Sequence, residues 1–128
     1  MQPCADARAA RRSWSLIGPT VAQGEWLFAA DLPVFRGHFP DRPLVPGVYL
    51  IACVVELACV ARACRLTLRL VERAKWSAPA LPSTLLTVQV VWSTQAQAQS
   101  LRLDGTVRSG ETLVASCRLV VEERSDAV

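Results

Sequence analysis

Histidine occurs only once in this 128-residue chain, at position 38, and lysine only once, at position 75. A single imidazole excludes metal centres built from clustered histidines. The five cysteines (Cys4, Cys53, Cys59, Cys64 and Cys117) do not supply the deficit. Three of them share one apolar segment at spacings of six and five, which match neither a zinc ligand set nor a redox pair. We expect no metal, and an odd count without a framework implies reduced thiols in a cytoplasmic protein. They read as small core hydrophobes. Glycine is scarce, with six residues, which excludes a collagen-like chain, and 52% hydrophobic composition excludes disorder. The longest apolar run, Val48 to Ala61, is broken by Glu56 and is too short to span a bilayer, so no membrane segment is expected. Charge is also limited. Fourteen basic residues against eleven acidic leave +3, spread along the chain in a pattern too weak for a nucleic-acid partner. An acidic partner or an anionic substrate suits it.

What is present fits one domain over residues 1–128, with a loose Ala- and Arg-rich leader at 1–12 and a tail at 124–128. Arg11-Arg12 is not followed by an apolar export segment, so no export is expected. Strand signals stand at Trp14–Ile17 and Glu25–Ala30, separated by the turn-formers of "GPTVAQG". Residues 31–47, "DLPVFRGHFPDRPLVPG", hold four prolines and must form a shaped, rigid loop. Pro46-Gly47 then opens "VYLIACVVELACVARAC", a run without Gly or Pro that predicts a helix buried all round, roughly 25 Å long. Long strands follow in "LTLRLVERAKWS", "TLLTVQVVWST", "SLRLDGTVRSG" and "ETLVASCRLVVEE", with Asp104-Gly105 and Ser109-Gly110 as bend signals. Two strands, one long helix and about four strands make an α+β domain, the helix lying on an antiparallel sheet.

Chemistry concentrates in residues 35–48, "FRGHFPDRPLVPGV". A histidine serves as a base near neutral pH when its scaffold holds the ring, and Pro40, Pro43 and Pro46 restrict the backbone around His38. Gly47 lacks a Cβ, so a ligand can approach its amide at the start of the helix. Free amides there polarise a carbonyl or bind an anion. A base beside such an amide suits proton abstraction next to a carbonyl. The alternative is a loop histidine that merely packs.

The string "GHFPDRPLVPGV" resembles the GHFP-x-x-P-x-x-PGV signature of the beta-hydroxyacyl-acyl-carrier-protein dehydratases, and the likeness runs through roughly residues 13–123. The resemblance implies the hot-dog fold, a long central helix wrapped by an antiparallel sheet. It also implies His38 as catalytic base and the Gly47 amide as the group that holds the thioester carbonyl. Phe39, Pro46, Val48 and Ala52 would line the substrate site. The reaction implied removes the C2 proton of a 3-hydroxyacyl thioester and expels the 3-hydroxyl as water. Its substrate rides on the phosphopantetheine of acyl carrier protein or on CoA, with no other cofactor, in fatty-acid, polyketide or aryl-polyene synthesis. A homodimer or higher homo-oligomer is implied too.

One position departs from the pattern. The family carries Asp or Glu five residues after the helix-opening glycine, and here that residue is Ala52. Glu56, one turn further on the same face, is the candidate replacement acid; its alternative is a pairing with an arginine or a cap on a polar pocket in the helix wall. Cys53 is a poor donor in apolar surroundings. Trp14, Trp26, Trp76 and Trp92 read as core or dimer contacts. Two further activities stay open: thioester hydrolysis, and a non-catalytic acyl-binding or heterodimer-partner subunit.

Overall fold

Antiparallel pairing builds one six-stranded sheet, and burial alternates along its four inner strands. The computed structural model describes residues 2–39, 41–97 and 99–124, and its strands are β1 (Arg11–Gly18), β2 (Val21–Trp26), β3 (Leu66–Trp76), β4 (Leu86–Thr94), β5 (Ser100–Ser109) and β6 (Thr112–Glu123). Their order across the sheet is β1-β2-β4-β5-β6-β3, so β1 and β3 are its edges. In β4, Leu86, Val88, Val90 and Trp92 all turn inward, and in β5 Leu101, Leu103, Gly105 and Val107 do the same. The period of two places one continuous apolar face against a helix.

That helix is α2 (Gly47–Arg62), with α1 (Pro3–Ala10) preceding it in the chain. The sheet wraps α2, which packs against β1 through β5, and this is the expected hot-dog arrangement. At Gly105 the wrap is tight: an added Cβ would lie 2.6 Å from both Val54 methyl groups. Asp104-Gly105 is therefore no bend. The glycine sits inside β5, where its missing side chain admits α2.

Three more expectations change. Of the leader expected at residues 1–12, the described part is not loose. Pro3 at the helix start and four alanines build α1, and Arg11 and Arg12 already belong to β1. Helix α1 docks through the Trp26 indole N–H, which donates to the Ala7 carbonyl at 2.8 Å, and through the Tyr49 hydroxyl, which donates to Asp6. Strand β2 occupies Val21–Trp26, not Glu25–Ala30, because only Pro19-Thr20 form the turn after β1. Within the Pro-rich loop, Pro33–Arg36 makes a 3-10 turn with Phe35 buried; Pro33 sits at its start, where no N–H is needed. Pro40 and the tail residues 125–128 lie outside the described residues. Arg124, just past the end of β6, donates its N–H to the Arg65 carbonyl at 2.8 Å.

Candidate active site

The loop before α2 is held by reciprocal backbone bonds. Leu44 N–H donates to the His38 carbonyl at 3.0 Å, and Arg42 N–H to the Phe39 carbonyl at 3.1 Å. Val45 N–H then donates to the Ala80 carbonyl at 2.8 Å, fixing the loop to the segment between β3 and β4. On this frame the His38 ring sits half-buried. Its Nδ1 lies 3.2 Å from the Leu44 carbonyl, and the ring stacks on Phe39 with centroids 4.4 Å apart. A carbonyl offers only lone pairs, so that contact is a hydrogen bond only when Nδ1 carries a proton. In the neutral ring Nε2 is then the bare, basic nitrogen.

Pro46, extended at φ −60° and ψ 148°, caps α2 without a side-chain bond, and Gly47 is the first helical residue. The amides of Gly47 and Val48 have no intrahelical acceptor by the geometry of a helix start. Gly47 has a neighbour that the sequence did not announce. A Cβ added there would fall 2.7 Å from Trp76 Cζ2 and 2.9 Å from Cη2, so the indole at the end of β3 lies directly on the helix opening. Trp76 is 51% exposed and is no core residue. Nothing in its local sequence signals this. The contact depends on how far β3 runs back along α2.

Beyond Gly47, α2 shows one face to a groove of about 820 Å³. Val48, Ile51, Ala52, Val55, Glu56 and Cys59 form this stripe at helical spacing, opposite Leu66, Leu68 and Val71 of β3. The helix is thus open on one side in a single chain rather than buried all round, and Val48 is 49% exposed. The structure brings Val48, Ala52 and Glu56 together in the groove. His38, Phe39, Pro46 and Gly47 are not among the residues that line it.

Glu56 is buried and paired. Arg8 of α1 donates to both its oxygens, Nε to Oε2 at 3.3 Å and Nη2 to Oε1 at 3.2 Å. The bond to Glu56 also raises the Arg8 pKa above its ordinary value. This is the arginine partner weighed against the acid role, and it could not be foreseen while residues 1–12 were read as a leader. Cys53 is fully buried beside this stripe, and burial pushes its thiol well above the usual range. Arg8, Arg11, Arg65 and Arg124 stand around the groove, in which Glu56 is the acidic lining residue among those described.

Comparison with known proteins agrees with this architecture. The chain is similar over 40 residues to the 3-hydroxyacyl-(acyl-carrier-protein) dehydratase FabZ of Roseiflexus sp. (strain RS-1), at 42% identity. That match covers 31% of this chain and 28% of the relative, so the chain is matched to less than a third of the relative's length. Among solved structures, the dehydratase heterocomplex ApeI:P from Xenorhabdus doucetiae superposes with a TM-score of 0.69 at 21% identity, covering 88% of this chain and 96% of that one. A point mutant of the fluoroacetyl-CoA-specific thioesterase FlK superposes at 0.67 and 11% identity, covering 81% and 84%. At such identities both likenesses speak for the shared hot-dog fold. The ApeI dehydratase family model matches residues 17–117, which span the loop, the helix, the groove strand and most of the sheet. The chain belongs to the ApeI-like dehydratase family.

Proposed function

We propose that this protein is a dehydratase of 3-hydroxyacyl thioesters, with His38 as its base. The observation that carries the reading is the contact between His38 Nδ1 and the Leu44 carbonyl, because it leaves Nε2 free to take a proton. The base removes the C2 proton, the thioester carbonyl accepts from the Gly47 amide at the start of α2, and the 3-hydroxyl leaves as water. Arginines outnumber the single described carboxylate around the groove, which favours an anionic carrier, and phosphopantetheine on acyl carrier protein or CoA is such a carrier.

The site is completed, in this reading, by a second copy. Strand β3 is an unpaired edge with Leu68, Leu70, Val71 and Trp76 exposed, and the open groove lies along it. Pairing two such edges would satisfy both and set the His38 loop of one copy against the other copy's groove. A second reading is favoured by Ala52 and by the engaged Glu56: a different hot-dog subunit supplies the acid in a heterocomplex. The structural neighbour ApeI:P is itself a heterocomplex.

The test incubates the protein with 3-hydroxyacyl carrier protein and follows loss of water by mass spectrometry. Wild type should dehydrate the substrate, and His38→Ala should lower the rate by about 10²–10⁴-fold or more. Release of the free acid would establish hydrolysis instead. No reaction from the single chain, together with reaction on adding a hot-dog partner, would establish the heterocomplex.

A further inference from the structure

We propose that Cys59 and Cys64 form a dithiol site at the C-terminus of α2, which a low-molecular-weight disulfide closes to a Cys59–Cys64 disulfide and a trivalent arsenical bridges in the reduced state. The proposal is independent of the acyl-thioester reading. In sequence the spacing of five has no redox meaning; the turn gives it one. Ala63 takes the left-handed conformation, φ 52° and ψ 43°, and its N–H donates to the Val60 carbonyl at 3.3 Å. The next N–H, that of Cys64, donates to the Cys59 carbonyl at 3.1 Å. These two bonds are those of the Schellman helix end, which frequently brings the side chains at its two outer positions into contact. Here both positions are cysteine.

The same bond limits the distance. The path from one Cα through N, the hydrogen bond, O and C to the other Cα is about 7.3 Å if straight, and the bends at the carbonyl carbon and at the hydrogen bond bring the two Cα atoms closer than that. A disulfide asks for Cα atoms roughly 4.4–6.8 Å apart. Both thiols are free and half-buried, so a small reagent reaches them. Among the described residues no other two cysteines are joined by a backbone contact of this kind. Cys53 is fully buried, and its spacing of six residues turns it away from Cys59 on the helix.

Burial, chiefly, pushes the Cys59 thiol up to about 11, so its natural part is the closing step, in which a disulfide already held beside it compensates for a small thiolate fraction. The Cys64 thiolate attacks one sulfur of the reagent, forming a mixed disulfide and releasing one small thiol. Cys59, on losing its proton, then displaces the second small thiol from Cys64. Two electrons pass to the reagent disulfide and the two protons end on the released thiols. With phenylarsine oxide no electrons move: two As–S bonds form and one water leaves. Cys59 lines the groove and Leu66 opens β3, so the cross-link would fix the corner between the groove helix and its edge strand.

The experiment treats the folded, reduced full chain with oxidised glutathione and maps tryptic peptides by mass spectrometry. Arg62 separates the two cysteines, so the disulfide should appear as the peptide ending at Arg62 linked to Ala63–Arg65, with fragmentation distinguishing Cys59 from Cys53. Wild type and Cys53→Ala should give this pair; Cys59→Ala and Cys64→Ala should not. Equimolar phenylarsine oxide should add one bridged arsenic per chain, lost in the same two variants. Absence of the linked pair while the exposed Cys4 becomes glutathionylated overturns the proposal. So does arsenic capture that survives Cys64→Ala. Should either alanine variant fail to fold by circular dichroism, the wild-type peptide map decides alone.

Discussion

Ala52 and Glu56 stand one turn apart on the groove face of α2, and they divide the chemistry from the architecture. If Ala52 faces the substrate's 3-hydroxyl, a carboxyl side chain there should supply the missing acid. Ala52→Glu is expected to raise the dehydration rate by about 10²-fold or more, read as kcat on a 3-hydroxyacyl thioester. Glu56→Gln tests the other carboxylate. Because Arg8 holds both Glu56 oxygens, the expected loss is in stability, with a lower urea midpoint and kcat within a few-fold of wild type. A large fall in kcat at unchanged stability would instead make Glu56 the acid. At this scale the sequence offers candidates where a residue acts through its own chemistry, and the role proposed for His38 rests on that ground. Arg8 and Trp76 were not legible, since each acquires its role from a partner about 48 or 29 positions away in the chain.

At the scale of elements, the end of α2 carries a testable strain. Ala63 occupies a left-handed position that an L side chain adopts at a cost of about 1–2 kcal/mol. Glycine removes that cost but frees the unfolded chain, so Ala63→Gly should stabilise the protein by roughly 0.5–1 kcal/mol in urea titration. Helix α1 gives a pH signature. Burial first, and the bond to Asp6 second, push the Tyr49 hydroxyl up to about 12. The folded state thus holds this proton more tightly than the unfolded chain does. Its contribution to stability is complete below pH 10 and is lost as pH rises toward 12. Tyr49→Phe should flatten that part of the stability–pH curve relative to wild type, in urea titrations between pH 9 and about 12.

For the whole molecule, the decisive feature is the β3 edge beside an open groove. We expect a dimer in light scattering at micromolar concentration. Leu70→Lys, which places a charge on this 54%-exposed edge residue, should shift the protein to monomer. Loss of dehydration along with the dimer, in a variant whose circular dichroism is unchanged, would support a site shared between copies. Full activity in the monomer would refute it.

Local pattern by itself determined the alternating strands after residue 65, the helix after Pro46-Gly47 and the braced histidine loop. Period, proline geometry and the bare amide at a helix start act within a few residues. The shared signature added the hot-dog arrangement. What only the tertiary structure decided depends on contacts between distant segments. The alanines of residues 3–10 lacked a strong amphipathic pattern, and α1 became legible only when Tyr49, Trp26 and Glu56 were seen to receive it. Gly105 signalled a bend until Val54 was found against it. Cys59 and Cys64 were two core-like thiols until the left-handed turn at Ala63 was seen to join their backbones, the Cys64 N–H donating to the Cys59 carbonyl. In each case the residue's role was set by what the folded chain placed beside it.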